Sequence, residues 1–264
     1  MKIRHANVDD YIGISKLHRA VDKTTSWREG GPWVNENLCR EHIENILKYG
    51  WEIYVAEEKG EILGEVEVVA GEEPEPYGYN VHISILYVHP NHQGKGIGRR
   101  LVNEVVEYAK SSDANTLTVV PSKNSMGFYE KMGFRLYDEW KRIIVDIQNI
   151  HPGNGEEFTA FENKDYSSVK HHSLTIGRYQ SSKNVWDSVV RRTFSLMPEA
   201  DVYKAKCGIL ALVGGNIATA FCWGNDEEKC ISAVIELCGR KGIKKLKILV
   251  RGKGGELKIL NRNF

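Results

Sequence analysis

Three glycines alternate at Gly94, Gly96 and Gly98 within YVHPNHQGKGIGRRLV, the stretch from Tyr87 to Val102. Glycine in an ordered segment costs backbone entropy, so a cluster implies that the chain turns sharply or admits something close to its amides. A β-forming run precedes the cluster and an amphipathic helix follows it. Such a junction presents unpaired backbone N–H groups and the positive end of a helix dipole, which suits an anion, phosphate above all. Two phosphate signatures do not fit. No GxxxxGK[ST] string occurs. GKGIGR has Arg99 where a dinucleotide fingerprint needs its last glycine, and it follows antiparallel strand signals instead of opening a βαβ unit.

The elements that must position this loop can be read from periodicity. Ile97, Leu101, Val102, Val105, Val106 and Ala109 form one helical stripe after it. Upstream, KIRHA reads as a strand and VDDYIGISKLHRAV as a helix with Ile12, Ile14, Leu17 and Val21 on one face. The loop TTSWREGGPW leads to a second helix ending near Tyr49. The runs WEIYVAEE, EILGEVEVVA and YNVHISILYV read as three antiparallel strands, and TLTVV, a short helix around Phe128 and RIIVDI close the first half. The expected fold is α/β (α+β), a mixed central sheet with flanking helices over residues 1–148. Residues 149–172 read as a linker, and 173–264 as a second, smaller α/β domain with strands at LTIGRY, CGILALV, IATAFCW and KLKILV and helices over VWDSVVRRTF and EEKCISAVIELCGRK. VEYAKSSDANTLTVV and IELCGRKGIKKLKIL share one rhythm, pairing Glu107 with Glu236 and Leu117 with Leu246. A degenerate repeat and a chance likeness of helix–strand units both explain this.

A third signature, Q/R-x-x-G-x-G/A, is filled in order by Gln93, Gly96 and Gly98. With the strand ILYVHP before it, the helix after it and FYEKMGF at Phe128–Phe134, residues 1–146 resemble the GNAT superfamily of acyl-CoA-dependent N-acyltransferases. The resemblance implies that the amides of Gln93, Gly94, Lys95, Gly96, Ile97, Gly98 and Arg99 hold the pyrophosphate of acetyl-CoA, and that Leu86, Tyr87 and Val88 pair with its pantetheine arm. It places Tyr129 near the CoA sulfur as proton donor, a role suited to a phenol whose pKa of about 10 keeps it protonated at neutral pH. Lys95, Arg99 and Arg100 can add charge opposite the phosphates. Many members carry Asn seven residues before the tyrosine, where this chain has Ser122, so any contact there is made differently or through water.

An amine acceptor must lose a proton before it attacks a thioester. Glu65 and Glu67 share one strand face and are candidates to hold and deprotonate it; a solvated strand face explains them equally. His82 on the next strand is a second candidate base. Trp27, Trp33 and the acids Glu72, Glu73 and Glu75 suit a cationic amine. The expected function is acetyl transfer to a primary amine of a small molecule or peptide by direct attack. The alternative is a non-catalytic acyl-CoA-binding regulatory module with a C-terminal interaction domain.

Composition bounds the rest. Lys plus Arg at 36 against Asp plus Glu at 35 gives no global field toward nucleic acid or anionic membrane. The basic run from Arg240 onward reads first as a solvated face, with nucleic-acid or acidic-partner contact as the sharper alternative. The start MKIRHANVDD lacks an apolar signal core and no run reaches membrane-span length, so a cytoplasmic protein is expected. A homodimer contact through the C-terminal unit is a further expectation. Cys39, Cys207, Cys222, Cys230 and Cys238 contain no CxxC pair and read as reduced, buried thiols; the even spacing of Cys222, Cys230 and Cys238 does not make a metal site, and no metal is expected.

Overall fold

The computed structural model describes residues 1–22, 33, 35–148, 150, 155–214, 217–252 and 257–263. The first half runs β1 (Lys2–His5), α1 (Tyr11–Asp22), α2 (Glu36–Lys48), β2 (Glu52–Glu58), β3 (Glu61–Glu73), β4 (Gly78–Val88), α3 (Ile97–Ser111), β5 (Thr116–Val119), α4 (Met126–Lys131) and β6 (Arg135–Asp146). This is the order expected from periodicity. The second half runs β7 (Thr159–Ala160), β8 (Leu174–Ile176), α5 (Ser182–Val189), β9 (Ala200–Ala205), β10 (Gly208–Val213), β11 (Ile217–Gly224), α6 (Glu227–Arg240), β12 (Lys245–Arg251) and β13 (Leu257–Asn263). β7, β9 and β13 were not expected. In β9 only Ala205 is buried, so its apolar alternation is weak.

All strands join one sheet in the order β1-β2-β3-β4-β5-β13-β6-β12-β11-β10-β9-β7, with β8 alongside β11. β4 pairs with β5 in parallel, and β11 with β12. Each parallel pair needs a crossover, which α3 and α6 supply. The centre of the sheet is an exchange. β6 ends the first half, but its second part pairs with β12, from Lys245↔Asp146 to Arg251↔Trp140. β13 returns to sit between β5 and β6. The run β2-β3-β4-β5-β13 is thus repeated in pattern by β9-β10-β11-β12-β6. The second unit is built into the sheet of the first.

The α3 stripe packs on one sheet face against Val66, Val68, Val81, Ile83 and Leu117. Burying each such side chain contributes on the order of 1.5–3 kcal/mol. Gly64 lets α3 approach closely, since a Cβ there would meet Ile97 Cγ2 at 2.9 Å. The other face carries α1 and α2, with Ile14, Cys39, Ile43 and Ile46 against Trp51, Ile53, Val55 and Val69. Ile12 departs from the expected stripe and is 40% exposed. The segment read as a linker carries Tyr166 and Val169 into a core with Val185 and Trp186. In β12 the exposed Lys245 alternates with buried Leu246 and Ile248, as a solvated face does. Among the described residues no helix is long and apolar enough to cross a membrane.

Buried polar groups fasten the halves together. Arg178 Nη1 donates to Glu73 Oε2 at 2.6 Å and its guanidinium lies 3.9 Å over the Tyr77 ring. Glu73 Oε1 also accepts from Ser182 N and Asn80 Nδ2, both at 3.0 Å. Asp187 on α5 accepts from Trp51 Nε1 at 2.7 Å, Lys183 Nζ at 2.7 Å and Arg191 Nη1 at 2.8 Å. Charges this deep are tolerable only when so fully paired.

Candidate active site

The glycine loop is an exposed cradle at the start of α3. Gly94 and Gly96 have φ of 77° and 82°, and a Cβ at either would meet no atom within 4 Å. Gly96 is the N-cap of α3, makes no side-chain cap bond, and the first turn of the helix holds no acid. The leading N–H groups of α3 have no intrahelical acceptor and face outward with the dipole behind them. Lys95 and Arg99 are exposed beside them, and Gln93 Nε2 donates to Val88 O at 3.3 Å, closing the loop onto the end of β4. Arg100 instead donates to Met1 O at 3.2 Å. Gly98 packs on Phe128, which a Cβ would meet at 3.4 Å, tying the cradle to α4.

β4 leads into this cradle along a partly open edge. Its pairing with β5 runs from Asn80↔Thr116 to Ile83↔Val119 and stops. From Ser84 to Val88 no strand among the described residues pairs with β4 on that side. The other edge stays in register with β3, where Glu67 sits opposite Ile85, Val66 opposite Leu86 and Glu65 opposite Tyr87; a register shift at Ser84 marks where β4 bends away. Leu86, Tyr87 and Val88 therefore offer backbone groups on the edge nearest the loop.

Glu65 and Glu67 share one face of β3, as alternation requires, but that face is not solvated. Both are 0% exposed beneath α1 and α2. His18 Nε2 lies 2.6 Å from Glu65 Oε2, and Glu67 Oε1 accepts from His42 Nε2 at 3.0 Å and from Trp33 Nε1 at 2.8 Å. His42 Nδ1 faces Thr193 O at 3.2 Å. A carbonyl can only accept, so Nδ1 carries a proton, and the two oxygens facing the ring favour its charged form. Burial alone would lower the His42 pKa; Glu67 and Thr193 outweigh it and raise it. Burial alone would raise Glu67; His42 and Trp33 outweigh it and lower it. At Glu65 burial prevails over His18 and the pKa is raised. Glu65 Oε1 and Glu67 Oε2 are buried with no hydrogen-bond partner among the described residues. Such atoms are sites for an N–H donor.

An aromatic wall surrounds the carboxylates. Trp33 stacks on His18 at 5.1 Å and meets His42 edge-on at 5.1 Å, while Tyr87 meets His18 edge-on at 4.8 Å. Phe194, from the second half, lies 4.7 Å from His42 and 5.5 Å from Trp33. Trp27 lies outside the described residues. Glu72 pairs with Lys170 and Glu73 with Arg178, so neither belongs to this wall.

Tyr129 is 5% exposed, packed edge-on against Phe128 and Phe134. Burial pushes its phenol well above the usual range, so it stays protonated, and its hydroxyl bonds to no other described residue. Ser122 caps the turn before α4, its Oγ 2.9 Å from Ser125 Oγ. His82 departs from its expected role as a base. It is 1% exposed, with Nδ1 2.8 Å from Thr118 Oγ1 and Nε2 2.9 Å from Gln180 Oε1, and burial pushes its pKa down to about 3. A ring so enclosed joins the halves and is not placed to take a substrate proton.

His18 and His42 were missed by sequence reasoning, although a signal existed. Each occupies a core position of an amphipathic helix, His18 with Ile14, Leu17 and Val21, and His42 with Cys39, Ile43 and Ile46. A polar ring in an apolar stripe needs a buried partner, and on β3 the buried Glu65 and Glu67 meet His18 and His42. Thr193 and Phe194 left no such signal, because their contacts lie half a chain away.

Comparison with known proteins agrees with this geometry. The model of the acetyltransferase (GNAT) family matches residues 19–134. The L-methionine sulfoximine/L-methionine sulfone acetyltransferase of Salmonella typhimurium is 27% identical over 150 residues, 55% of this chain and 86% of that protein. The L-amino acid N-acyltransferase MnaT of Escherichia coli is 30% identical over 139 residues, 51% of this chain and 79% of that protein. The chain belongs to the GNAT acetyltransferase family and is an N-acetyltransferase of that class. A putative acetyltransferase from Pyrococcus horikoshii shares the fold over 100% of this chain and 89% of its own, with a TM-score of 0.63 at 14% identity.

Proposed function

We propose that the chain transfers the acetyl group of acetyl-CoA to the primary amine of a small molecule by direct attack, in a pocket whose walls come from both halves. The observation that carries this is the pair of buried carboxylates with oxygens unpartnered among the described residues, directly across from Ile85 and Tyr87 on the open-edged strand. The pyrophosphate rests on the amides of Gln93–Arg99 and the pantetheine runs along Leu86–Val88, which brings the thioester beside Glu65 and Glu67.

The Glu67–His42 pair holds a fixed charge balance and presents Oε2 to the ammonium of the acceptor. Glu65, whose proton affinity is raised, is the better proton acceptor near neutral pH. The ammonium loses one proton to Glu65, the amine nitrogen bonds to the carbonyl carbon, the C–S bond breaks as Tyr129 protonates the departing thiolate, and the second nitrogen proton returns to the Tyr129 phenolate to leave the neutral amide and free thiol. Trp33, Tyr87 and Phe194 favour an acceptor with an apolar or aromatic-stacking body. A small amino-acid-like amine satisfies this and matches the acceptors named for the Salmonella and E. coli relatives. A non-catalytic acyl-CoA sensor gives no reason for two buried carboxylate–histidine pairs. A cytoplasmic location follows from acetyl-CoA supply.

A panel of amino acids and simple amines with acetyl-CoA, read by free CoA thiol, tests the reading. Glu65→Gln is expected to lower kcat by about 10²–10⁴ while acetyl-CoA affinity stays the same. In the parent, activity rises with pH through the raised Glu65 value as the carboxylate forms. That limb is expected to vanish in the variant. A pH profile unchanged by Glu65→Gln assigns the proton elsewhere.

A further inference from the structure

Three of the five cysteines converge at the far end of the second half. Cys207 lies in the turn between β9 and β10, Cys222 on β11 and Cys230 in the first turn of α6, and their sulfur atoms all lie within 4.8 Å of one another. The evenly spaced Cys222, Cys230 and Cys238 are not the trio that converges. Cys238 instead fills the apolar core alone, as Cys39 does in the first half. Packing alone accounts for a single buried thiol. It does not account for three sulfurs brought together from a turn, a strand and a helix start.

The surroundings are shaped to the cluster. A Cβ at Gly224 would meet Cys207 O at 2.3 Å and Cys230 Sγ at 2.6 Å, so the strand end closes on the sulfurs only because that residue is glycine. Cys230 sits in the first turn of α6, where the helix dipole favours a thiolate. Cys222 and Cys230 are buried and Cys207 is half-buried, so the cluster is reached from one side. Among the described residues no histidine or carboxylate belongs to the group, which leaves an all-sulfur donor set.

We propose that Cys207, Cys222 and Cys230 form a three-thiolate site for one thiophilic divalent cation of the zinc type, with solvent completing the coordination on the Cys207 side. Zn–S bonds of about 2.3 Å bring tetrahedral sulfurs to roughly 3.8 Å apart. Sulfurs within 4.8 Å reach that spacing by shifts of about 1 Å or less, within the range of side-chain adjustment. Soft thiolates select such a cation over magnesium or calcium. The site lies outside the acetyl-transfer pocket and joins the β9–β10 turn to the start of α6.

The test uses the full chain, reduced and stripped with a chelator under anaerobic conditions, and titrated with Cd²⁺ as a probe of sulfur ligation. A sulfur-to-metal charge-transfer band saturating at one equivalent is expected, with Zn²⁺ competing for the same site. Cys207→Ser and Cys230→Ser are each expected to weaken Cd²⁺ binding by about 10²-fold or more, whereas Cys238→Ser leaves the titration unchanged. Cys207 is in a turn, so its variant decides the matter even where Cys230→Ser fails to fold. No charge-transfer band in the parent, or the same band and affinity in Cys207→Ser, overturns the proposal.

Discussion

The two halves solve one topological problem in opposite ways. Each has a parallel strand pair that diverges after a few residues, β4 from β5 and β11 from β12. In the first half β4 continues from Ser84 to Val88 with one edge unpaired among the described residues. In the second half β8 enters the divergence, pairing Ile176 with Cys222 and Leu174 with Trp223, while Gly177 N donates to Leu249 O of β12 at 2.9 Å. The helix starts differ in the same sense. α3 opens on glycines with no acid in its first turn, and α6 opens on Asp226, Glu227 and Glu228. The first half also places α4 and Tyr129 between β5 and β6, whereas β12 and β13 are separated only by residues 252–256. One half keeps the groups proposed to hold a thioester, and the other uses the same positions for its own packing and brings Phe194 against Trp33 and His42.

The comparison breaks most sharply at Tyr129. Tyr129→Phe removes only a hydroxyl and leaves the packing against Phe128 and Phe134 in place. Turnover is expected to fall by about 10²–10⁴ with acetyl-CoA affinity nearly unchanged. Parent-like turnover makes Tyr129 a packing residue and gives the proton to water.

The cradle is the next point of attack. Gly96→Asp puts a side chain at φ 82° and a negative charge beside the pyrophosphate. Like charges so placed cost several kcal/mol, so acetyl-CoA affinity is expected to fall by about 10²–10³-fold. Gly96→Ala meets no neighbour and isolates the backbone contribution. Calorimetry of the parent is expected to show one acetyl-CoA per chain. A second site persisting in Gly96→Asp locates it in the other half and removes the contrast between the two wedges.

Arg178→Ala tests whether the second half supports the first. It leaves the Glu73 carboxylate buried without its charged partner, which costs about 3 kcal/mol. Glu73→Gln in the same chain is expected to recover part of the loss, because Ser182 N and Asn80 Nδ2 can still donate to the amide oxygen. Thermal denaturation of the single and double variants reads the coupling. Additive losses remove Arg178 as the fastening between the halves.

What was legible in the sequence follows physical range. The strand and helix order of the first half is local, written in period-2 and period-3.6 patterns, and Gln93, Gly96 and Gly98 stand in the register their loop requires. The joining of the halves is not local. Nothing in RIIVDI says that it pairs with β12 while the stretch before it pairs with β13, and nothing near Thr193 points to His42. Glu65 and Glu67 showed a shared face but not its burial, because alternation does not distinguish a face covered by helices from one covered by water. His82 misled for the same reason, being polar, near the loop, and sealed by Gln180 from the other half.

The smallest expected effect lies at Asp226 and separates a capped helix start from one that holds an anion. Asp226 Oδ1 accepts from Lys229 N at 3.1 Å and Lys229 Nζ lies 3.1 Å from Oδ2. The bond from Lys229 N, then that residue's side chain, lowers the Asp226 pKa. A depressed carboxylate contributes stability that is present above its unfolded value of about 3.9 and is lost as pH falls through the folded value. Asp226→Ala is therefore expected to lower Tm by about 2–4 °C at neutral pH and by progressively less below pH of about 4. Asp226→Asn keeps the cap acceptor and is expected to recover most of the loss. Neither variant is expected to gain acetyl-CoA binding, because β8 still fills the wedge behind α6. A gain of binding in Asp226→Ala makes the acid, not the plug, what keeps the second half from holding a cofactor.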